Sequence, residues 1–415
     1  MTSSSSFLIA LTAVAQMILM AVTWPLWFSQ SEYPMLGIVP LADQLPLWGH
    51  QLLSALLMTA CLAIAVLQLR IIQQDKSNDE PTDVAPRAAF ISRWLVGLLL
   101  FSAVSLVLLD QHRLQPWHWL TFLILIEWTL LNQSDFLKTV RITLATVYIF
   151  ASLSRFGPDV AAGMSGQVLK VILKTIELEW IRPGDQRFEQ LAILMNSAEL
   201  LIGVTLLFHR IRRAAVVGAV LLHLTLLICL SPLGLNHHAG VLVWNAFLMI
   251  IVPVAFWHRN SYTFQTPAAE TSTGLPSQRV APTAKFLIAA VLFIPASALF
   301  AVADNWLGWQ VYSPRPETLK VTVDERAIRF LPGSLKPFVQ PPQPLQTDCV
   351  LRLDLWSLHC KSVPVYPEDR LQIATAKFVV AYAVTQGASP TDFKAEIRSP
   401  SRFCWWKRSH QNVSL

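Results

Sequence analysis

Charge is what this sequence has least of. Asp, Glu, Lys and Arg make up 14% of the chain, where a soluble globular protein carries roughly 25%. A soluble fold is excluded, because 53% of the residues are hydrophobic and the mean hydropathy is +0.47. Other absences narrow the chemistry. There is no CxxC among the five cysteines, so dithiol redox chemistry has no motif to rest on. There is no HxxH or HExxH, and adjacent histidines such as His237 and His238 rarely ligate one ion unaided, so no metal is expected. No internal repeat stands out, and no pair of Gly/Pro-broken helices occupies matching places, so transport lacks its usual pattern. No Lys or Arg precedes the first apolar run, "MTSSSSFLIALTAVAQMILMAVTW". A cleaved signal peptide has a positive n-region, so Phe7–Phe28 reads as a retained signal anchor.

What is present is long apolar blocks of about 20 residues, the length that crosses a bilayer. The candidate spans are Phe7–Phe28, Leu47–Leu69, Ala89–Leu109, Trp117–Leu131, Phe136–Phe156, Phe188–Phe208, Ala214–Leu230, Val241–Trp257 and Ala284–Ala303. The fourth is short and carries Glu127. The expected fold is therefore an all-α polytopic membrane bundle of nine helices with a small C-terminal α+β domain outside the membrane. Loop cations set the direction. With the N-terminus inside, the cytoplasmic loops hold Arg70, Lys76, Arg87, Arg93, Lys138, Arg141, Arg210, Arg212, Arg213, Arg259, Arg279 and Lys285, while the short outer loops hold only Arg113. The long outer loop Arg155–Arg187 adds five. The positive-inside rule favours a cytoplasmic N-terminus and an outer C-terminal domain, most simply in a bacterial plasma (inner) membrane. Cationic loops also account for the net charge of +6 without a nucleic-acid partner.

The organisation that follows has five parts. Residues 1–88 form an N-terminal transmembrane hairpin and polar loop, and 89–260 a helical core. Residues 261–283 are a Pro/Thr/Ser-rich linker, 284–304 the last span, and 305–415 the outer domain. Within the core, 166–182 has helical periodicity, with Leu169, Ile172, Leu173, Ile176 and Trp180 on one face. Such a helix either lies on the outer leaflet or packs against the outer domain. In the tail, "LKVTVDE", "VLRLDLW" and "FKAEIRS" alternate as strands do, and "PEDRLQIATAKFVVAYAV" opens as a helix does. Cys349, Cys360 and Cys404 lie here. An outer disulfide is allowed, but its pairing cannot be read from sequence.

An ionisable group inside hydrocarbon costs about 2.5–3.5 kcal/mol, so it faces a partner or a cavity. Glu199 and His223 sit mid-span on consecutive antiparallel helices, where they are expected to meet. The pair is either a structural hydrogen bond or a proton-relay and ligand site, which makes them the catalytic candidates. A second group gathers at outer turns: Asp110, His112 and Arg113 in "DQHRLQPWHW", Arg155 at a helix end, and Asn236, His237 and His238 in "LNHHAG". These are candidate substrate-binding residues. The bland readings are a local ion pair in a tight turn, and an Arg155 that snorkels to the headgroups.

"TVYIFASLSRFGPDVAAG", "DQHRLQPWHW", the mid-helix His223 and "LNHHAGVLVWN" resemble the horizontally transferred transmembrane domain (HTTM) family. That family is related to vitamin K-dependent gamma-carboxylase and, more distantly, to the DoxX and MauE membrane proteins. The likeness covers residues 90–260. It implies an outer C-terminal region and a tyrosine-led helix ending in two lysines, the second an amine base that activates vitamin K hydroquinone. Those positions are Ser154 and Arg155 here. A guanidinium, with its pKa above ~12, is no base. Its fork suits a carboxylate or phosphate instead. The resemblance thus implies an integral membrane protein that binds or transforms a quinone- or lipid-like molecule at the outer leaflet, with the lipid bilayer as its first partner and the cofactor unassigned. The competing reading is a non-catalytic scaffold whose outer domain binds a protein. Topology is directly checkable: alkaline phosphatase fused after Leu415 should be active and a fluorescent protein there dark, and the reverse result inverts the assignment.

Overall fold

The computed structural model describes residues 3–28, 31–39, 42, 44–77, 84–157, 159–257, 280–313, 317–342, 347–400 and 408–415. Residues 261–279 of the expected linker, residues 78–83 of the first polar loop, Arg259, Arg279 and Cys404 lie outside them.

Among the described residues eleven helices come first: α1 Ser3–Val22, α2 Trp24–Trp27, α3 Leu47–Ser77, α4 Val84–Leu109, α5 Pro116–Leu130, α6 Gln133–Arg155, α7 Met164–Thr175, α8 Gln186–Leu206, α9 Arg212–Leu230, α10 Ala239–Phe256 and α11 Pro282–Ala298. Seven of these are long and apolar enough to cross a membrane: α1, α3, α4, α6, α8, α9 and α10. The chain is a multi-pass membrane protein. Helices suit this setting because they satisfy their own backbone polar groups. Polar side chains in the spans do the same: the Thr12 and Thr23 hydroxyls donate to the carbonyls of Leu8 and Leu19 at 2.8 and 2.6 Å. The expectation of nine full spans is met in part. Helix α11 has 17 residues. Helix α5 has 15, about 22 Å at 1.5 Å per residue, against a hydrocarbon core of about 30 Å. It packs on α1, α4, α6 and α11, and most of it, Glu127 included, is buried. A helix shielded by its neighbours need not match the bilayer.

The bundle helices alternate in direction, and hydrogen bonds mark their two ends. At one end, Ser54 donates to the Trp27 carbonyl at 3.0 Å, Arg113 Nε to that of Leu26 at 3.3 Å, and Ser313 to that of Ser154 at 2.7 Å. At the other, Gln133 donates to Ser5 at 3.3 Å, Arg141 to the Ala255 carbonyl at 2.7 Å, and the Ala281 N–H to Asp135 at 3.3 Å. The turns carrying Asp110, Arg155 and His237 all lie at the first end, together with the chain leaving α11.

The C-terminal domain caps that end as a dome. It is a five-stranded antiparallel sheet in the order β2-β3-β1-β4-β5, with β1 Thr318–Asp324, β2 Val339–Gln340, β3 Asp348–Leu351, β4 Phe393–Pro400 and β5 Arg408–Val413. Two helices, α12 Leu353–Lys361 and α13 Asp369–Thr385, complete it. The expected strands at "LKVTVDE" and "FKAEIRS" form as β1 and β4, and the expected helix as α13. "VLRLDLW" is corrected: its first half is β3, but its second half starts α12. There Leu353, Trp356 and Cys360 recur at helical spacing, and all three are buried in the dome core. That apolar period outweighs the local alternation. Cys349 and Cys360 are buried free thiols.

The 166–182 segment is also corrected. Helix α7 ends at Thr175 and Glu177 takes a left-handed φ of 59°. Val168, Leu169 and Leu173 are buried against residues of α8 and α9 and not against the dome. Ile176 and Trp180 lie beyond the helix and are exposed.

Tyr33, from the loop between α2 and α3, joins the dome core, its ring 4.6 Å from that of Trp356. Trp356 is fully buried and its Nε1 donates to Ser334 at 2.9 Å. Trp356→Ala should cost about 3–5 kcal/mol and release the dome to limited proteolysis while detergent-solubilised helicity survives. A dome as protease-resistant as wild type would contradict this packing.

Candidate functional site

The expected site residues separate into two clusters at the domed end. The first lies inside the bundle. Glu199 and His223 do not pair with each other, contrary to expectation. Glu199 is reached by the Arg155 guanidinium. His223 sits between Tyr148, whose hydroxyl is 2.6 Å from Nε2, and Asn245, whose Oδ1 is 2.9 Å from Nδ1. The reason is position. Arg155 closes α6 at the rim and folds back toward α8, giving Glu199 a permanent cation, which a neutral imidazole cannot match.

The tautomer of His223 follows from its partners. The Asn245 amide nitrogen donates to the Val241 carbonyl at 2.9 Å, so its oxygen faces the imidazole as an acceptor. Nδ1 therefore carries the proton, and Nε2 accepts from the Tyr148 hydroxyl. An amide orients an imidazole, which stands ready to take a phenolic proton. The helices must lie close for this. A Cβ on Gly203 of α8 would come within 2.8 Å of the Tyr148 Cβ, so only glycine lets α8 approach α6 here. Asn196 braces the same junction, accepting from Ser165 at its side chain and from Ser152 at its carbonyl, at 2.7 and 2.6 Å. Above Arg155, Ser313 anchors a strap in which Trp309 and Tyr312 hold left-handed φ values of 60° and 59°. The His237 ring packs edge-on at 6.0 Å against Tyr312. His238 caps α10, its Nδ1 accepting from the Gly240 N–H at 3.4 Å, and Asn236 turns the chain at φ 51°. Burial lowers the pKa of both histidines. His237 thus reaches the strap over Arg155, while Asn236 and His238 only build the turn.

The second cluster lies in the seam between bundle and dome. Asp110 is fully buried. Its Oδ1 accepts from the His112 side chain and N–H at 2.9 and 3.2 Å, and its Oδ2 is 3.5 Å from Lys361 Nζ of α12. Arg113 donates to His50 at 3.2 Å and to the carbonyls of Leu26 and Leu106. Burial works to raise the Asp110 pKa, but Lys361, His112 and Arg113 outweigh it and hold the carboxyl well below the usual range. Tyr33 and Tyr366 set their rings edge-on to His112 at 5.3 and 6.5 Å. Behind Tyr366, Asp304 accepts from its hydroxyl at 2.8 Å, from Gln111 at 3.2 Å and from Arg370 at 3.1 Å. The Asp110 turn and Arg155 thus share an end of the bundle but not a pocket.

Tyr148, Asn245, Lys361, His50 and Tyr366 were not singled out from sequence. Tyr148 and Asn245 carried a signal, as polar residues in otherwise apolar spans. Lys361 carried none, because a lysine in the last turn of a helix is ordinary at a surface.

No family model, curated protein or solved structure significantly matches this chain.

Glu368 adds a pH-dependent element to the seam. It accepts twice from Asn305, both at 2.8 Å. Burial, then repulsion from Asp304, raises its pKa from 4.5 to about 7. A carboxyl raised on folding supports the fold below its unfolded pKa and withdraws that support as pH climbs through about 7. Glu368→Gln should therefore raise the thermal midpoint at about pH 8 and leave it nearly unchanged at about pH 4. An equal shift at both would refute the assignment.

Proposed function

We propose that this protein binds a quinone- or lipid-like molecule at the outer leaflet and exchanges a proton with its oxygen headgroup. In this reading all nine of the alternating bundle helices cross the bacterial plasma membrane, the N-terminus is cytoplasmic and the dome is outside. The cations Arg70, Arg93, Lys138, Arg141, Arg210, Arg212, Arg213 and Lys285 all belong to the undomed end, as the positive-inside rule requires of a cytoplasmic face.

One observation carries the reading: the Asn245–His223–Tyr148 relay, built within apolar helices and close to the Arg155–Glu199 pair at the rim. Structural hydrogen bonds between spans need only two partners. Here a third residue sets the imidazole tautomer so that its free lone pair meets a phenol. Tyr148 can take a proton from a ligand hydroxyl as it passes its own to Nε2, which leaves an imidazolium, and the reverse transfer returns the proton to the ligand oxygen. Arg155 supplies the anion-recognising fork and Glu199 holds it in place. The resemblance to the gamma-carboxylase-related HTTM family points to the same substrate class. The guanidinium at the family's amine position argues for binding, not base catalysis, at Arg155.

The test is mass spectrometry of molecules that copurify with the detergent-extracted protein. Wild type should retain a prenyl-chain or acyl-chain compound near one per chain. Arg155→Ala should retain about tenfold less, equivalent to about 1.4 kcal/mol. Tyr148→Phe should keep the molecule but lose any turnover of it. Equal retention by wild type and Arg155→Ala would end the proposal and favour a scaffold whose outer domain binds a protein partner.

A further inference from the structure

We infer that the seam beneath the dome is a second binding site, for a compact monovalent anion that carries a hydroxyl. It shares no residue with the relay of Tyr148 and His223.

Charge counting is the first support. Lys361 and Arg113 bring two cations into a place where each is 2% exposed. Among the described residues, the carboxylate in contact with this cluster is Asp110 alone. The next acids are engaged elsewhere. Asp304 takes Arg370 and the Tyr366 hydroxyl, Glu368 takes Asn305, and Glu32 takes the Ser334 N–H at 2.8 Å. Two cations against one carboxylate leave at least one positive charge over in a water-excluded place, whatever the state of the imidazoles. An unmatched buried charge is expensive, and proteins match it.

Unused hydrogen-bonding atoms are the second support, and they are independent of the charge count. The Nε2 atoms of His112 and His50 are buried without a partner, in side chains 0% and 1% exposed. Their tautomers differ. His112 turns Nδ1 to Asp110, so in the neutral ring its Nε2 offers a lone pair. His50 accepts at Nδ1 from Arg113, so its Nε2 carries a proton. The Leu45 carbonyl lies on that side but makes no hydrogen bond with it. The cluster thus holds a surplus positive charge, one spare donor and one spare acceptor, besides the Asp110 Oδ2 that faces Lys361 without a hydrogen bond. A singly charged oxyanion with its own hydroxyl meets all three: its negative oxygen faces His50 and the cations, and its hydroxyl faces His112. A water would satisfy the nitrogens and leave the charge. Chloride would meet the charge and leave His112.

Lys361 comes from the dome, while Asp110, His112, Arg113 and His50 come from the bundle. The site is therefore complete only when the dome is seated, and an occupying anion ties the two together.

The experiment is thermal unfolding of the full-length, delipidated protein in detergent, at constant ionic strength, with sodium glycolate, formate or chloride replacing a bulky buffer anion. Glycolate should raise the midpoint saturably, by about 4 °C at a hundredfold excess over half-saturation, with formate and chloride less effective. Lys361→Met should abolish the response. Asp110→Asn removes the competing carboxylate and should move half-saturation about tenfold lower. The two variants thus change glycolate affinity in opposite directions, which a merely structural ion pair would not produce. If Lys361→Met does not fold, Asp110→Asn decides alone: tighter glycolate binding supports the site, and an unchanged or absent response overturns it. A midpoint indifferent to glycolate in the wild type, or one raised only by phosphatidate-containing micelles, also overturns it.

Discussion

Removing a charge from water is costly enough that every buried ionisable side chain in this protein must be accounted for, and this constraint holds the two halves together. Asp110 sits at the end of a lipid-length helix with no exposure at all. It stays there because His112 and Arg113 flank it and because the dome inserts Lys361 from above. Without Lys361 the carboxylate would lose its one partner from the dome. Removing one member of a buried pair costs about 3–5 kcal/mol. The pair therefore fixes where the dome sits, and Tyr33 reinforces it by running from the bundle's loop into the dome core. The position of the charged seam, the strap over Arg155 and the cover above His237 all follow from that seating.

The same constraint separates the chemistry of the two clusters. In the bundle, Glu199 and Arg155 neutralise one another, which leaves the Tyr148–His223–Asn245 relay free of net charge. A neutral relay is compatible with a hydrocarbon surrounding and with an apolar ligand entering from it. In the seam, two cations face one carboxylate, and the surrounding aromatic rings of Tyr33, Tyr366, Trp306 and Trp356 exclude lipid as well as water. A lipid-soluble molecule suits the first place and a small polar anion the second.

Much of the bundle was legible in the sequence because span length answers to a fixed hydrocarbon thickness. Each expected span lies within or overlaps a helix, and the two that fall short, α5 and α11, are shorter than the other spans. The dome was legible in part. Its alternation at β1 and β4 and its period in α13 are local patterns. The residues after Leu351 misled because a few residues of alternation can belong to either element, and burial of Trp356 decided for the helix. For the site, intramembrane polarity marked Glu199 and His223 as needing partners. Which partners they took depended on the crossing of α6 and α8, permitted by Gly203.

By itself the sequence determined that this chain lives in a membrane, which of its turns carry the polar residues, and that a small mixed domain follows the last helix. These follow from residue-by-residue transfer costs and from periods of 2 and 3.6, both properties of short stretches. Tertiary structure alone decided that Arg155 meets Glu199, that His223 is held between Tyr148 and Asn245, and that Lys361 enters the rim beside Asp110. Those contacts join residues 22 to 251 positions apart. The free energy of a charge or a hydrogen bond depends on what lies within a few ångströms, which the spacing of residues along a chain does not specify.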